Sequence, residues 1–138
     1  MGEKIVGIDT AVFVYLIQKH PLYGKAAEGV LRSVQEGRYR AVFSVIGMIE
    51  ILTGAKQDRN RVLAGRYREF FRQFPNLDVI GITGEAIVEI ASDLRARYRL
   101  TTPDAIHIAT AIDAGANTFI TNDRALKKVK EIKIQMLG

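Results

Sequence analysis

The sequence predicts an α/β protein with three layers, in which a short, mainly parallel central sheet lies between two layers of helices. Two observations predict it. Short apolar segments with the length of strands alternate with amphipathic segments with the length of helices, which is typical of βαβ units with helices on both faces of a parallel sheet. The chain has 138 residues, and no linker, repeat or low-complexity tract divides it. We therefore expect a single domain over residues 1–138.

Stop and capping residues set the element boundaries in the first half of the chain. Pro21 and Pro75 end two helices, Gly37 ends another, and Ser44 is placed to cap a third. The predicted elements are, in order, the strand Lys4–Ile8, the helices Thr10–Lys19 and Gly24–Glu36, the strand Ala41–Phe43, and the helices Val45–Leu52 and Asp58–Phe74.

The second half of the chain repeats the alternation. Pro103 stands in the first turn of one helix and Gly115 ends it. The predicted elements are the strand Leu77–Ile82, the helices Glu85–Tyr98 and Thr102–Ala114, the strand Thr118–Thr121, the short helix Arg124–Val129 and the strand Ile132–Met136. In sheets of this kind, ligands bind outside the carboxyl ends of the strands.

Composition excludes several classes of function. There is no cysteine, which excludes disulfides, zinc–thiolate sites and iron–sulfur clusters. The longest apolar run, Ala11–Ile17, is far too short to span a bilayer, and the first residues lack the layout of a signal peptide. We expect a cytoplasmic protein with no membrane association. The net charge of +5 is compatible with either a polyanionic partner or a solubility charge.

Four acidic residues occupy positions at which a site is expected. Asp9 and Asp123 follow predicted strands, Asp104 lies in the first turn of a helix, and Glu50 lies in an apolar helix with no base among its helical neighbours. Each also has a structural interpretation, since acids cap helices, oppose helix dipoles, form turns and make buried ion pairs. The apolar surroundings of Glu50 predict a buried helix.

Taken together, the four acids predict a metal site. Clustered carboxylates repel one another unless cations lie between them, and hard oxygen ligands without cysteine indicate Mg²⁺ or Mn²⁺. Such a site is suited to hydrolysis of a phosphodiester by a metal-activated water. We expect Asp9, Asp104 and Asp123 to be the metal ligands, and Glu50 to bind a second metal or to orient the water.

Three further features have alternative interpretations. The triplet Arg-Tyr-Arg at 38–40, 66–68 and 97–99 either stacks bases of a single strand or packs its tyrosines at element boundaries. His107, three residues after Asp104, is predicted to be a boundary histidine and not a ligand. The aromatic side of the basic helix 58–74 is predicted to pack in the core, with a dimer interface as the alternative.

At these acids the sequence resembles the PIN-domain nucleases, and among them the VapC-type toxins of toxin–antitoxin pairs. The matching segments are Ile8–Val12, Ser44–Gly54, Thr102–Ala111 and Thr121–Arg124, in the expected order. The resemblance implies a PIN-like fold and Mg²⁺-dependent endoribonuclease activity with Asp9, Glu50, Asp104 and Asp123 as the catalytic site. Thr10 and Asn122 would be supporting polar groups. It also implies a homodimer and a small antitoxin. Ala11 departs from the polar residue that the family often has there.

Two other hypotheses remain at this point. One is a signalling receiver domain, which is also a small α/β protein with acids at one sheet edge. It requires an acceptor aspartate at the end of a central strand, whereas Asp78 stands near the start of Leu77–Ile82. The other is a non-catalytic PIN-like module that binds RNA or a protein partner. Retention of all four acids argues against it.

Overall fold

The computed structural model describes residues 4–138, and within them the predicted α/β architecture is confirmed. The strands are β1 (Ile5–Ile8), β2 (Arg40–Ser44), β3 (Leu77–Ile80), β4 (Thr118–Thr121) and β5 (Lys133–Met136). The helices are α1 (Thr10–Ile17), α2 (Gly24–Gln35), α3 (Val45–Gln57), α4 (Arg61–Gln73), α5 (Gly84–Tyr98) and α6 (Thr102–Asp113), with a 3₁₀ helix at Arg124–Lys128.

The strands form one parallel sheet in the order β3-β2-β1-β4-β5. β1 lies at its centre, where Gly7 pairs with Val42 of β2 and with Phe119 of β4. A side chain at Gly7 would overlap the Cβ of Ala111, so glycine allows α6 to pack closely on β1. The strand order also excludes the receiver domain, whose strands run 2-1-3-4-5.

Two apolar clusters give the fold its three layers. One joins the inner sides of α1 to α4 to the sheet and contains Phe13, Phe43 and Phe71 in mutual ring contact. The other joins α5 and α6 to the sheet and includes Ile108 and Phe119. Apolar side chains buried at this density are the main favourable contribution to folding.

The apolar side of α4 packs in the core, as predicted. Tyr67 is 2% exposed, and its hydroxyl accepts a hydrogen bond from Nε2 of Gln18 at 3.1 Å. Because its ring is enclosed, the triplet at 66–68 has no tyrosine with which to stack a base. Tyr98, in the third triplet, donates instead to Oε1 of Glu131 at 2.5 Å.

Most predicted boundaries agree with the structure to within a few residues, and the largest differences lie around the α3–α4 turn. α3 runs to Gln57, well beyond the predicted end at Leu52, because Gly54 lies inside the helix. α4 begins at Arg61, since Asn60 is its N-cap and accepts from the backbone N–H of Leu63.

Within residues 4–138, no helix has the length and apolar character needed to cross a membrane.

Candidate active site

Asp9 lies at the carboxyl end of the central strand, where β1 leads directly into α1. Its Oδ1 accepts from the backbone N–H of Thr10 at 2.8 Å and caps α1. Its Oδ2 accepts from the Thr121 hydroxyl at 2.7 Å, and its own N–H donates to the carbonyl of Ile120 at 2.9 Å. Asp9 is therefore anchored to β4, and each carboxylate oxygen keeps a lone pair for a further ligand.

Asp123 is connected to Asp9 through the same hydroxyl. The Thr121 Oγ1 accepts from the backbone N–H of Asp123 at 3.0 Å, and Oδ1 of Asp123 caps the 3₁₀ helix by accepting from the N–H of Ala125 at 2.9 Å. Asn122 donates to the Tyr15 hydroxyl at 3.2 Å. The capping interpretation of Asp123 is thus correct, and it leaves Oδ2 of this exposed carboxylate without a hydrogen bond in the described chain.

Glu50 reaches the same region from α3. Its Oε1 accepts from the Thr10 hydroxyl at 3.0 Å and lies 2.7 Å from Nε2 of His107. Thr10 therefore joins two predicted site residues, since its backbone N–H binds Asp9 and its hydroxyl binds Glu50. These contacts bring the end of β1 together with α3 and α6.

The expectation that the helix of Glu50 is buried was wrong. The Glu50 side chain is 43% exposed, not buried, and Ile49 is exposed as well. α3 buries only one side, which includes Gly47, Ile51 and Ala55, so its apolar sequence overstates its burial.

His107 is not a boundary residue. Its imidazole is buried against the ring of Phe43, with 6.0 Å between the ring centroids. The sequence held one signal of this position, because His107 is followed by Ile108 and Ala109 in a helix that turns an apolar face to the sheet. That pattern does not predict its contact with Glu50 on α3. Nδ1 is buried without a hydrogen-bond partner in residues 4–138.

Asp104 lies in the first turn of α6, and its backbone N–H donates to the Thr101 hydroxyl at 3.3 Å. Its charge acts on Asp9. Burial raises the pKa of Asp9 above its ordinary value of 3.8 because a low-polarity environment disfavours the ionised form. The hydrogen bond from Thr121, the charge of His107 and the N–H of Thr10 oppose this rise, and the negative charge of Asp104 adds to it.

Comparison with known proteins identifies the family to which this arrangement belongs. Residues 6–132 match the family model described as the PIN domain. The chain belongs to the PIN domain family. No curated protein matches the chain. The match includes all four predicted site acids, so the resemblance inferred from their surroundings is confirmed at the level of the family.

Solved structures share the fold of this PIN domain at low sequence identity. VapBC2 from Rickettsia felis, bound to a DNA fragment from its promoter, has a TM-score of 0.77 at 19% identity, with 96% of this chain and 98% of that chain covered. DNA-bound VapBC from Salmonella typhimurium has a TM-score of 0.74 at 17% identity, with coverages of 99% and 100%. VapC20 from Mycobacterium tuberculosis, a toxin that cleaves the sarcin–ricin loop, has a TM-score of 0.69 at 16% identity, with coverages of 94% and 99%.

The acids of this PIN domain do not form a closed cage. Among residues 4–138, no three His, Asp or Glu side chains are grouped closely enough to enclose an ion by themselves. Three of the four acids form two hydrogen-bonded sets, Asp9 with Thr121 and Asp123, and Glu50 with His107, which Thr10 connects. Asp104 belongs to neither set and acts on Asp9 through its charge. A divalent cation held by these residues would therefore need waters or substrate oxygens to complete its coordination.

Proposed function

We propose that this PIN domain is a metal-dependent endoribonuclease of the VapC toxin type. The observation that supports it most strongly is the position of Asp9, a partly buried carboxylate at the end of the central strand with a raised pKa. Folding has partly withdrawn this group from water without giving it an ion pair among the described residues, and its hydrogen bonds offset the effect of burial only in part, which favours binding of a cation there.

Asp9, Asp104 and Asp123 are the residues that we expect to hold Mg²⁺, with Mn²⁺ as a possible substitute. A divalent cation would offset both the burial of Asp9 and the repulsion from Asp104 that raise its pKa. When bound, the cation supplies an activated water and neutralises charge on the phosphate oxygens. Waters and substrate phosphate oxygens would complete its coordination, in agreement with the open grouping of the acids.

The chain's own residues would position the reacting groups. Glu50 receives hydrogen bonds from both Thr10 and His107 on the same oxygen, so Oε2 has no hydrogen bond from the described chain and points to partly open space. It is placed to orient the attacking water or to bind a second metal. Asn122, bonded to Tyr15, supports the loop that carries Asp123. This chemistry would cleave a phosphodiester of either RNA or DNA. We propose RNA as the substrate because the structural neighbour VapC20 cleaves the sarcin–ricin loop.

Cleavage of RNA in the presence and absence of metal tests the proposal. We expect purified protein to cut single-stranded RNA with Mg²⁺ or Mn²⁺ and to lose activity with EDTA. Asp9→Asn should lower the rate by about 100-fold or more, because the metal contributes several kcal/mol of charge stabilisation. Asp93→Asn, on the exposed side of α5, removes the same charge elsewhere and should cut normally. Cleavage that survives both EDTA and Asp9→Asn would overturn the proposal.

The second candidate is a non-catalytic PIN-like module that binds RNA or a protein. The absence of a closed acidic group in residues 4–138 favours it, whereas the raised pKa of Asp9 favours a cation site. A binding module would retain RNA on a filter without cutting it under any metal condition. The same cleavage assay therefore separates the two candidates.

The toxin role brings two further proposals, a small antitoxin and a homodimer. Two of the structural neighbours are VapBC assemblies bound to DNA, and exposed apolar residues such as Ile49 and Val62 on α3 and α4 offer contact area. Light scattering of the purified chain tests the homodimer. Growth arrest on expression, relieved by Asp9→Asn and by a neighbouring small gene, tests the toxin role.

A further inference from the structure

A basic cavity lies at the α3–α4 turn, apart from the acidic residues. It has a volume of about 520 Å³ and is lined by Lys56, Arg59, Asn60, Arg61, Ala64 and Arg68. Four of these six residues are cationic and none is acidic. Within residues 4–138, none of the four cations forms an ion pair with an acid.

One of these cations works against the stability of its helix. Arg61 is the first residue of α4, where the positive end of the helix dipole disfavours another positive charge. Lys56, by contrast, lies in the last turn of α3, where a positive charge is favourable. Mutual repulsion of four neighbouring cations is a further unfavourable contribution. An anionic ligand would offset these costs.

A second, smaller cavity is lined by residues of the candidate active site and by residues of the α3–α4 region. Its volume is about 200 Å³, and its lining includes Thr10 and Glu50 as well as Asp58, Leu63 and Tyr67. Each of the last three residues is the immediate chain neighbour of a residue that lines the basic cavity. A flexible polymer with a repeated negative charge can therefore contact both regions.

We propose that the basic cavity of Lys56, Arg59, Arg61 and Arg68 binds the phosphate backbone of a single-stranded RNA whose scissile bond lies at the acidic residues. This inference rests on the proposed function and adds the binding site that holds the strand beside it. Arginine and lysine are the side chains that bind phosphates, and they bind without selecting the base sequence. The lining of the cavity contains no aromatic side chain on which a base could stack.

Salt dependence of RNA binding tests the inference on the full chain. A short fluorescein-labelled single-stranded RNA is titrated with protein in EDTA, so that it is not cut, over a series of KCl concentrations. Arg61→Gln with Arg68→Gln should reduce the slope of log K against log salt by about 1.4, which is two phosphate contacts at about 0.7 each. That change corresponds to about 25-fold in affinity for each tenfold change in salt.

The matched control removes two charges outside the basic cavity. Arg99→Gln with Lys128→Gln changes the net charge equally, and both side chains are exposed. We expect a much smaller change in slope. If both double variants change the slope of log K against log salt equally, the cations act only through long-range attraction and the inference is overturned. Unchanged RNA binding by the double variant of Arg61 and Arg68 would also overturn it. Circular dichroism and thermal melts verify that all variants fold.

Three further outcomes separate the possible sources of the result. Polyglutamate with the same number of negative charges as the RNA is tested as a competitor. If it displaces the RNA and also binds more weakly to the double variant of Arg61 and Arg68, the site binds an acidic protein and the inference is overturned. If the wild-type protein cuts RNA, and the double variant of Arg61 and Arg68 binds and cuts RNA as well as the wild type does, the nuclease assignment stands and the inference fails. If the cavity binds RNA as expected but no metal supports cleavage, the inference stands and the nuclease assignment fails.

Discussion

The imidazole of His107 on α6 lies with Nε2 at 2.7 Å from Oε1 of Glu50 on α3. A carboxylate oxygen accepts and does not donate, so this contact places the imidazole proton on Nε2. The Thr10 hydroxyl reaches the same oxygen at 3.0 Å. Glu50 is an exposed side chain on a helix surface, and these two donors hold it in one orientation beside Asp9. His107 is therefore a positioning residue for Glu50.

Replacement of His107 should affect turnover more than substrate binding. We expect His107→Ala to lower kcat by about 10- to 100-fold, the usual effect of losing a partner that orients a metal-site residue, with little change in KM. His107→Gln keeps an N–H donor near the position of Nε2 and should restore most of the rate. If both variants lose activity equally and in proportion to their loss of stability, the role of His107 is only to fill the core.

The stability of the protein should depend on the ionisation of Asp9. Because burial raises its pKa above 3.8, the folded state binds this proton more tightly than the unfolded state. The stabilisation from Asp9 is fully present below pH 3.8 and is lost as the pH rises through the folded-state pKa. Asp9→Asn should therefore raise the thermal midpoint at neutral pH without metal, and the gain should vanish in acid.

Differential scanning fluorimetry over a pH series measures this effect. Asn keeps an oxygen that can accept from the N–H of Thr10, so the cap of α1 survives the change. Asp93→Asn on the exposed side of α5 controls for net charge. Mg²⁺ or Mn²⁺ should stabilise the wild type and leave Asp9→Asn unaffected. A lower midpoint for Asp9→Asn at neutral pH would contradict this account.

The hydroxyl of Thr121 should lower the pKa of Asp9 and stabilise the loop that leads to Asp123. Thr121→Val has nearly the same volume, but it removes the donor to Asp9 and leaves the Asp123 N–H without its acceptor. We expect a loss of about 1–3 kcal/mol in the free energy of unfolding. Since the bond from Thr121 lowers the pKa of Asp9, that pKa should rise further, as followed by NMR titration. Thr121→Ser keeps the hydroxyl and should preserve the titration.

Two glycines of α3 should respond to alanine in opposite directions. A Cβ at Gly47 would overlap the ring of Phe43, which stacks on His107, so Gly47→Ala should lower stability by about 1–3 kcal/mol and disturb the Glu50 contact. A Cβ at Gly54 meets nothing within 4 Å, so Gly54→Ala should stabilise α3 by about 0.5–1 kcal/mol. Urea unfolding of the two variants measures both effects, and equal losses would contradict the packing around Phe43.

The starts of α3 and α6 were predictable because local chemistry determines them. Ser44 caps α3 and Thr101 caps α6 through side-chain bonds within three residues, and such short-range contacts are visible in the sequence. The predicted strand Thr118–Thr121 is found unchanged. The length of α3 and the start of α4 were missed because Gly54 is tolerated inside a helix whose packing compensates for its low propensity.

The sequence by itself determined that parallel strands deliver Asp9 and Asp123 to one sheet edge, since parallel connectivity places every strand's carboxyl end there. Only the tertiary structure decided that His107 holds Glu50 across 57 positions of sequence, and that Asp9, Asp123 and Glu50 join two connected sets while Asp104 belongs to neither. The physical reason is that strand direction follows from the order of the elements, whereas a side chain's partner depends on how two helices pack, which no local pattern specifies.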